Sequence, residues 1–408
     1  MSTCEITDYT AWQRWVVPKA LRTKPVHRWF VFPHSFTDDL VKALIGEWGL
    51  GDRDMILDPF VGAGTTLLAA KECGIPAVGV DLSPLAVLAS RVKIGPPRRR
   101  AAEQAWRRIA PELRVATNRA TVAEYPELVR KALPGRSLPT LHRFREVIEA
   151  RCRRGAERRF FMLALLRILR KFSRAVPTGG WLSWRCDASP ISEAKSAFRM
   201  SIEQMLEDLS FHRSGNGRKW AAKQADARRI PLAAESVTAV ITSPPYPNRH
   251  DYTRVFGIEL MFGFMTWEQT RRLRYQLFHS HPEARPKRPA SNGYSEPRWL
   301  TRAIDHIAEA GERDRLPRML HGYFLDTYLF LREVRRVLRA GGRAAIVIGN
   351  AQYQGIPLDV DLAVAEIGDQ AGLIPSEVRL VRERGNSAQQ MGRFGRRASR
   401  ESVVIFRR

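Results

Sequence analysis

The residues best suited to chemistry stand at Thr242-Ser243-Pro244-Pro245-Tyr246. An apolar, β-branched run, Val237–Ile241, precedes them and predicts a buried parallel strand. Two consecutive prolines have no N–H to donate to a ladder, so the sheet must stop at Ser243. Within four residues the chain then offers a hydroxyl, a stiff carbonyl at Pro244 and the aromatic ring of Tyr246. The carboxyl end of a parallel strand is where open α/β sheets place their ligands.

A second constellation lies upstream. Met55-Ile56-Leu57 predicts a short buried strand, followed by Asp58-Pro59-Phe60-Val61-Gly62-Ala63-Gly64-Thr65-Thr66 and a helix from Leu67 that Gly74 ends. Ala77-Val78-Gly79-Val80 predicts the next strand, closed by Asp81. This is a βαβ unit with a glycine turn and a terminal carboxylate. A P-loop needs lysine after its last glycine, and here Thr65 follows Gly64. A dinucleotide fingerprint needs a third glycine where Leu67 stands. The turn therefore suits a ligand without a pyrophosphate, and Asp81 is placed to accept from two ribose hydroxyls.

Together, residues 56–66, Asp81 and 242–246 resemble the cofactor-binding and catalytic motifs of DNA amino-methyltransferases, which make N4-methylcytosine or N6-methyladenine. The resemblance covers 25–95, 225–262 and 320–408, and it is closest to the Ser-Pro-Pro-Tyr subtype. It implies a Rossmann-like α/β fold, a mostly parallel sheet closed by a C-terminal antiparallel hairpin, and S-adenosylmethionine as cofactor. Phe32–Phe36 is similar to the family's segment over the methionine end of that cofactor. By this resemblance the cofactor residues are Phe36, Asp58, Phe60, Gly62, Gly64, Thr65, Asp81 and, for the adenine, Asp226. The catalytic residues are Ser243, Pro244, Pro245 and Tyr246. Serine ahead of Pro-Pro-Tyr leans toward cytosine N4 in this family.

An exocyclic amine is a weak nucleophile because its lone pair is delocalised into the ring. Acceptors at Ser243 Oγ and the Pro244 carbonyl can draw the lone pair out, with Tyr246 as a face for the base. A base within a duplex reaches such a pocket only by flipping. No cysteine adjoins the prolines, so covalent attack on a cytosine ring is not indicated.

The net charge of +25 favours a polyanionic partner. Double-stranded DNA is the expected one, with RNA as runner-up, and a cognate restriction endonuclease would fit the family. Residues 96–224 read as a basic helical insertion and candidate target-recognition region. The stretch 95–224 holds 28 Lys or Arg against 12 Asp or Glu. Arg98, Arg99 and Arg100 open it, while Arg167, Arg170 and Lys171 are expected on the rim of an apolar helix, Phe160–Phe172. Residues 25–95 and 225–408 form the expected catalytic domain, interrupted by a second insertion at 266–320 with a basic, mobile loop at His279–Pro297. Asn248, Arg249 and Tyr252, beside the catalytic motif, and Arg393, in the loop of the C-terminal hairpin, are further candidates for nucleic-acid contact. A helix over Tyr323–Leu338 is expected to be capped by Gly341-Gly342.

The four cysteines are scattered, with no CxxC pair, so neither a disulfide framework nor a metal site is expected. No signal peptide or membrane-spanning run is evident, and the expected setting is the cytoplasm.

Overall fold

A computed structural model of the chain describes residues 5–115, 122, 124–152, 155–178, 181–212, 219–288, 293–311, 315–385, 388–395 and 398–408. Its strands are β1 (Ile6–Asp8), β2 (Ile56–Asp58), β3 (Ala77–Asp81), β4 (Ala175–Thr178), β5 (Trp181–Trp184), β6 (Trp220–Gln224), β7 (Val237–Thr242), β8 (Leu338–Gly349), β9 (Ala351–Tyr353), β10 (Ile356–Leu358), β11 (Ile374–Gly385) and β12 (Ala398–Arg407).

Eight of them form one sheet in the order β1-β11-β12-β8-β7-β2-β3-β6. The run from β8 to β6 is parallel, whereas β12 is antiparallel to both β8 and β11. From β2 the chain steps outward to β3 and β6, then returns to the other side of β2 for β7 and β8. The strand order thus reverses between β2 and β7, and a crevice opens there at the carboxyl ends. Asp58, Asp81 and Thr242 each end a strand at this crevice.

Alternation along the strands sends successive side chains to opposite layers. Ile56, Ala239, Ile241 and Val347 pack with Leu40, Leu44 and Leu67. Leu57, Val240 and Ile346 pack with Leu329, Val334 and Ile367. A third apolar cluster joins the helices Arg99–Ile109, Ser137–Arg151, Gly155–Phe172 and Ala194–Asp208 to helix Pro84–Ile94 and to Trp29 and Phe30. The first insertion therefore shares a core with the segment that precedes β2.

Asp208 fastens that junction. It is fully buried and accepts from Val26 N, from Trp29 Nε1 at 2.9 Å and from the Arg28 guanidinium. Asp208→Ala leaves those donors unpaired in an apolar layer, and a loss of about 3 kcal/mol is expected. Thermal unfolding of this variant checks the link: an unchanged midpoint contradicts it.

Several expectations change. Helix Arg315–Val337 runs directly into β8, so Gly341-Gly342 is no cap. Gly341 adopts φ +74°, and a Cβ on Gly342 would stand 2.9 Å from the Thr238 carbonyl. The pair lets β8 bulge against β7, where the register shifts between Val237 and Ala239. The C-terminal hairpin is longer than its apolar runs because the polar residues 382–385 pair with 398–401. At the head of the loop expected to be mobile, His279, Ser280 and His281 are buried. Residues 289–292 of that loop lie outside the described residues. Among the described residues no helix is long and apolar enough to cross a membrane.

Candidate active site

The glycine turn after β2 is shaped by close approach. Gly62 and Gly64 adopt φ +47° and +79°, which favour glycine. A Cβ on Gly64 would lie 2.9 Å from Ser90 Cα, and Ser90 Oγ donates to the Gly62 carbonyl at 3.1 Å. The turn is thereby pressed onto helix Pro84–Ile94. Asp81 Oδ2 accepts from Gly62 N at 3.0 Å, and its Oδ1 accepts from Ser83 N at 2.8 Å. Each oxygen keeps a lone pair for a further donor.

Asp58 is buried. Its Oδ1 accepts from Thr242 Oγ1 at 2.6 Å and from Phe60 N at 3.1 Å. That bond ties the end of β2 to the end of β7, so the glycine turn and the Ser-Pro-Pro-Tyr segment share one anchor. Burial pushes the Asp58 carboxyl up to about 6, against the bonds from its neighbours, and the Asp81 charge adds to the rise. Burial likewise pushes Asp81 up to about 6.

Beyond Thr242 the chain is clamped from several sides. Pro244 is buried and Ser243 half-buried. Tyr246 Oη donates to Glu401 Oε1 on β12 at 3.1 Å. Its ring lies over Gly349, where a Cβ would stand 2.9 Å from Tyr246 Cε2 and from the Arg384 guanidinium. Burial raises the Glu401 carboxyl, and the nearby Arg384 opposes that rise. Tyr353 Oη donates to the Pro247 carbonyl, and Arg249 N donates to the Ser280 carbonyl at 3.0 Å. Asn248 Oδ1 accepts from His250 N, closing the turn.

The structure thus brings Asp58, Phe60, Gly62, Gly64, Asp81 and residues 243–246 to one crevice. Thr65 is buried, with its hydroxyl 3.5 Å from Ser35 Oγ. Phe60 packs edge-on to Phe278 and Phe330. Phe36 is buried in the apolar layer of Leu40 and Val61. Asp226 follows β6 and bonds the Arg228 guanidinium through both oxygens, at 2.9 Å and 2.7 Å. Tyr252 contacts the His34 ring, and its phenol lies near enough to Asp81 to be raised by that charge as well as by burial. It therefore borders the glycine turn as well as the catalytic loop. Arg249 is exposed, over the ring of Tyr353 at 5.3 Å.

Two arginines expected on a nucleic-acid-facing rim are corrected. Arg167 donates to Ser201 Oγ and Gln204 Oε1, and Arg170 pairs with buried Glu259 and donates to the Val255 carbonyl. Their guanidinium groups cross-link helices because helix Gly155–Phe172 is covered on more sides than its apolar stripe implied. Lys171 is exposed and pairs with Glu193, and Arg99 pairs with Glu103. Arg98, Arg100 and Arg393 are exposed.

Glu401, Gly349, Tyr353 and Ser280 support the loop but were not singled out from sequence. For Glu401 one signal existed: a carboxylate entering the apolar strand Ser402–Phe406, in register with Gly349. Among the described residues one cluster has the proximity of metal ligands, His27, Asp38 and Glu72. Lys24 and Lys42 already neutralise its carboxylates.

The sheet order, the glycine turn and the strand-end carboxylate define an S-adenosylmethionine-dependent methyltransferase fold. A family model described as DNA methylase matches residues 7–90. The Type II methyltransferase M.AvaI of Nostoc sp. is 28% identical over 426 aligned positions, covering 96% of this chain and 88% of that protein. The Type II methyltransferase M.BsoBI of Geobacillus stearothermophilus is 25% identical, covering 95% and 86%. M.MjaII of Methanocaldococcus jannaschii is 39% identical over 74 residues, 18% of this chain and 14% of that protein. The chain is thus similar to Type II DNA methyltransferases along nearly all of its length, and its cofactor is S-adenosylmethionine.

The residues present suit that cofactor. The glycine turn is a cradle that a side chain at Gly64 would disrupt, and Asp81 offers carboxylate lone pairs to a diol.

Proposed function

We propose that this protein methylates an exocyclic amine of a flipped base in double-stranded DNA, most favourably cytosine N4, as a modification enzyme alone or beside a restriction endonuclease. The observation that carries the reading is the Thr242–Asp58 bond, which sets Ser243 and Pro244 beside the glycine turn and Asp81 at the strand reversal. Within it, residues 25–95 and 225–408 are the catalytic unit and 96–224 the target-recognition region.

S-adenosylmethionine supplies a methyl group on a sulfonium, a good leaving group. The chain's own part is to hold the amine. Ser243 Oγ and the Pro244 carbonyl each accept one amine N–H, which favours a pyramidal nitrogen with its lone pair free. Pro245 stiffens that carbonyl. The Tyr246 ring, fixed by Glu401, supports the face of the base. Asp81 and Asp58 hold the ribose and the glycine turn. Serine, rather than Asp or Asn, ahead of Pro-Pro-Tyr is what leans the reading toward cytosine N4, by resemblance to the family.

The test is direct. The purified protein is given methyl-labelled cofactor and duplex DNA, and the product is digested to nucleosides. Label in N4-methyldeoxycytidine is the expected result, whereas label in N6-methyldeoxyadenosine replaces cytosine by adenine.

Glu401 yields a further prediction. Glu401→Ala frees the Tyr246 phenol, and a ten- to hundredfold loss of kcat is expected, on the order found for small misplacements. Glu401→Gln keeps an acceptor and most of the rate. Equal single-turnover rates for the alanine variant and the wild type contradict the anchor.

A further inference from the structure

A cavity of about 440 Å³ opens beside the turn that anchors the catalytic loop. Its walls come from the second insertion and from the start of helix Arg315–Val337, and they include Arg285, Arg288, Arg318, His321 and Tyr294. The turn 278–280 connects it to the active site. Phe278 packs on Phe60 at 5.6 Å, the His279 N–H is bonded to Asp326, and the Ser280 carbonyl holds Arg249 N. His279, which lines the cavity, and Ser280, which anchors the catalytic loop, are therefore adjacent in the chain.

The charges sort into two groups. Below the cavity, fully buried Asp326 accepts from Arg288 Nε at 2.8 Å and lies 3.1 Å from Arg228, which Asp226 also neutralises. Arg288 also donates to His279 Nδ1 and to the Gly322 carbonyl, so its guanidinium is committed to the wall. His321 is paired with Glu296 at 2.8 Å. Arg285 and Arg318 remain, both exposed, and no described carboxylate pairs with either. Arg285 instead rests against the ring of exposed Tyr275, on a helix that also exposes Trp267, while Arg274 there is tied to buried Asp251. Arginines interleaved with exposed aromatic rings are the composition of a nucleic-acid surface. In the first insertion Arg167, Arg170 and Lys171 are spent on internal or local partners, whereas Arg98 and Arg100 are exposed.

We propose that this cavity is a phosphate subsite for the backbone of the substrate duplex, with Arg285 and Arg318 as its ligands. It rests on the DNA methyltransferase reading above. The backbone held here lies one turn of chain from the loop that receives the base. The subsite fixes the position of the duplex without reading its sequence.

The test uses full-length protein and a fluorescent duplex, with binding followed by anisotropy across a salt series. Loss of two phosphate contacts makes the slope of log affinity against log salt shallower by about 2 and weakens low-salt binding on the order of tenfold. This is expected of Arg285→Gln with Arg318→Gln, with cofactor affinity unchanged. Arg53→Gln, an exposed change at the amino end of β2, keeps the wild-type slope. If the double variant fails to fold, each single variant is read instead, with a change of about 1 in slope expected. A wild-type slope in folded variants of an enzyme that does methylate duplex DNA overturns the subsite alone. A wild-type protein that neither binds nor methylates duplex DNA overturns the parent reading as well.

Discussion

Ser243→Ala is expected to lose methyl transfer by a factor on the order of a hundred to a thousand, the range for removing one positioned polar group at a reacting centre. The substitution deletes an acceptor for one amine hydrogen and disturbs nothing in the sheet. Thr242, which carries the bond to Asp58, is untouched. Cofactor affinity is therefore expected to remain that of the wild type. Tyr246→Ala is expected to behave alike, with the added loss of the ring packed on Gly349. Calorimetric titration with S-adenosylmethionine, run beside single-turnover methylation, separates the two effects. Loss of cofactor binding in both variants would show that this loop belongs to the cofactor pocket and not to the target base.

Asp81 carries the second large effect, on binding. Its carboxylate is set to receive two hydroxyl donors, each worth about 1.5–3 kcal/mol when the acceptor is charged. Asp81→Asn is expected to weaken cofactor affinity by about a hundredfold. The pH dependence follows from the same group. Burial holds the Asp81 and Asp58 carboxyls near 6 in the free protein. Hydroxyl donors favour the ionised form, so binding must expel a proton once the pH falls below that value. Wild-type affinity is thus level above about pH 7 and falls below 6, by up to tenfold per unit per group. Asp81→Asn removes its own share of that fall, about half, and the remainder belongs to Asp58. An asparagine variant with wild-type affinity and the same pH profile contradicts the assignment.

What the sequence made legible follows the range of the interactions involved. The βαβ unit from Ile56 to Asp81 was readable because its glycines, helix and carboxylate are close neighbours in the chain. The end of β7 was readable because Pro244 and Pro245 must stop a strand wherever it lies. Glu401 was not, since it reaches Tyr246 from 155 positions away. Nor was the use made of the arginines. Arg170 finds Glu259 across 89 positions, and composition records its charge without its partner. Strand β1 was missed because three residues, Ile6–Asp8, carry too little pattern to distinguish an edge strand from a loop. The glycine pair at 341–342 has the composition of a helix cap, yet it serves a bulge against β7, which only the strand register reveals.

The measurement closest to the central claim is methylation of plasmid DNA in cells expressing the protein, read by single-molecule sequencing that separates N4-methylcytosine from N6-methyladenine. N4-methylcytosine is expected at one short recurring sequence, and none in cells expressing Ser243→Ala. Unmodified DNA from cells holding folded, cofactor-binding protein would contradict it and turn attention to RNA.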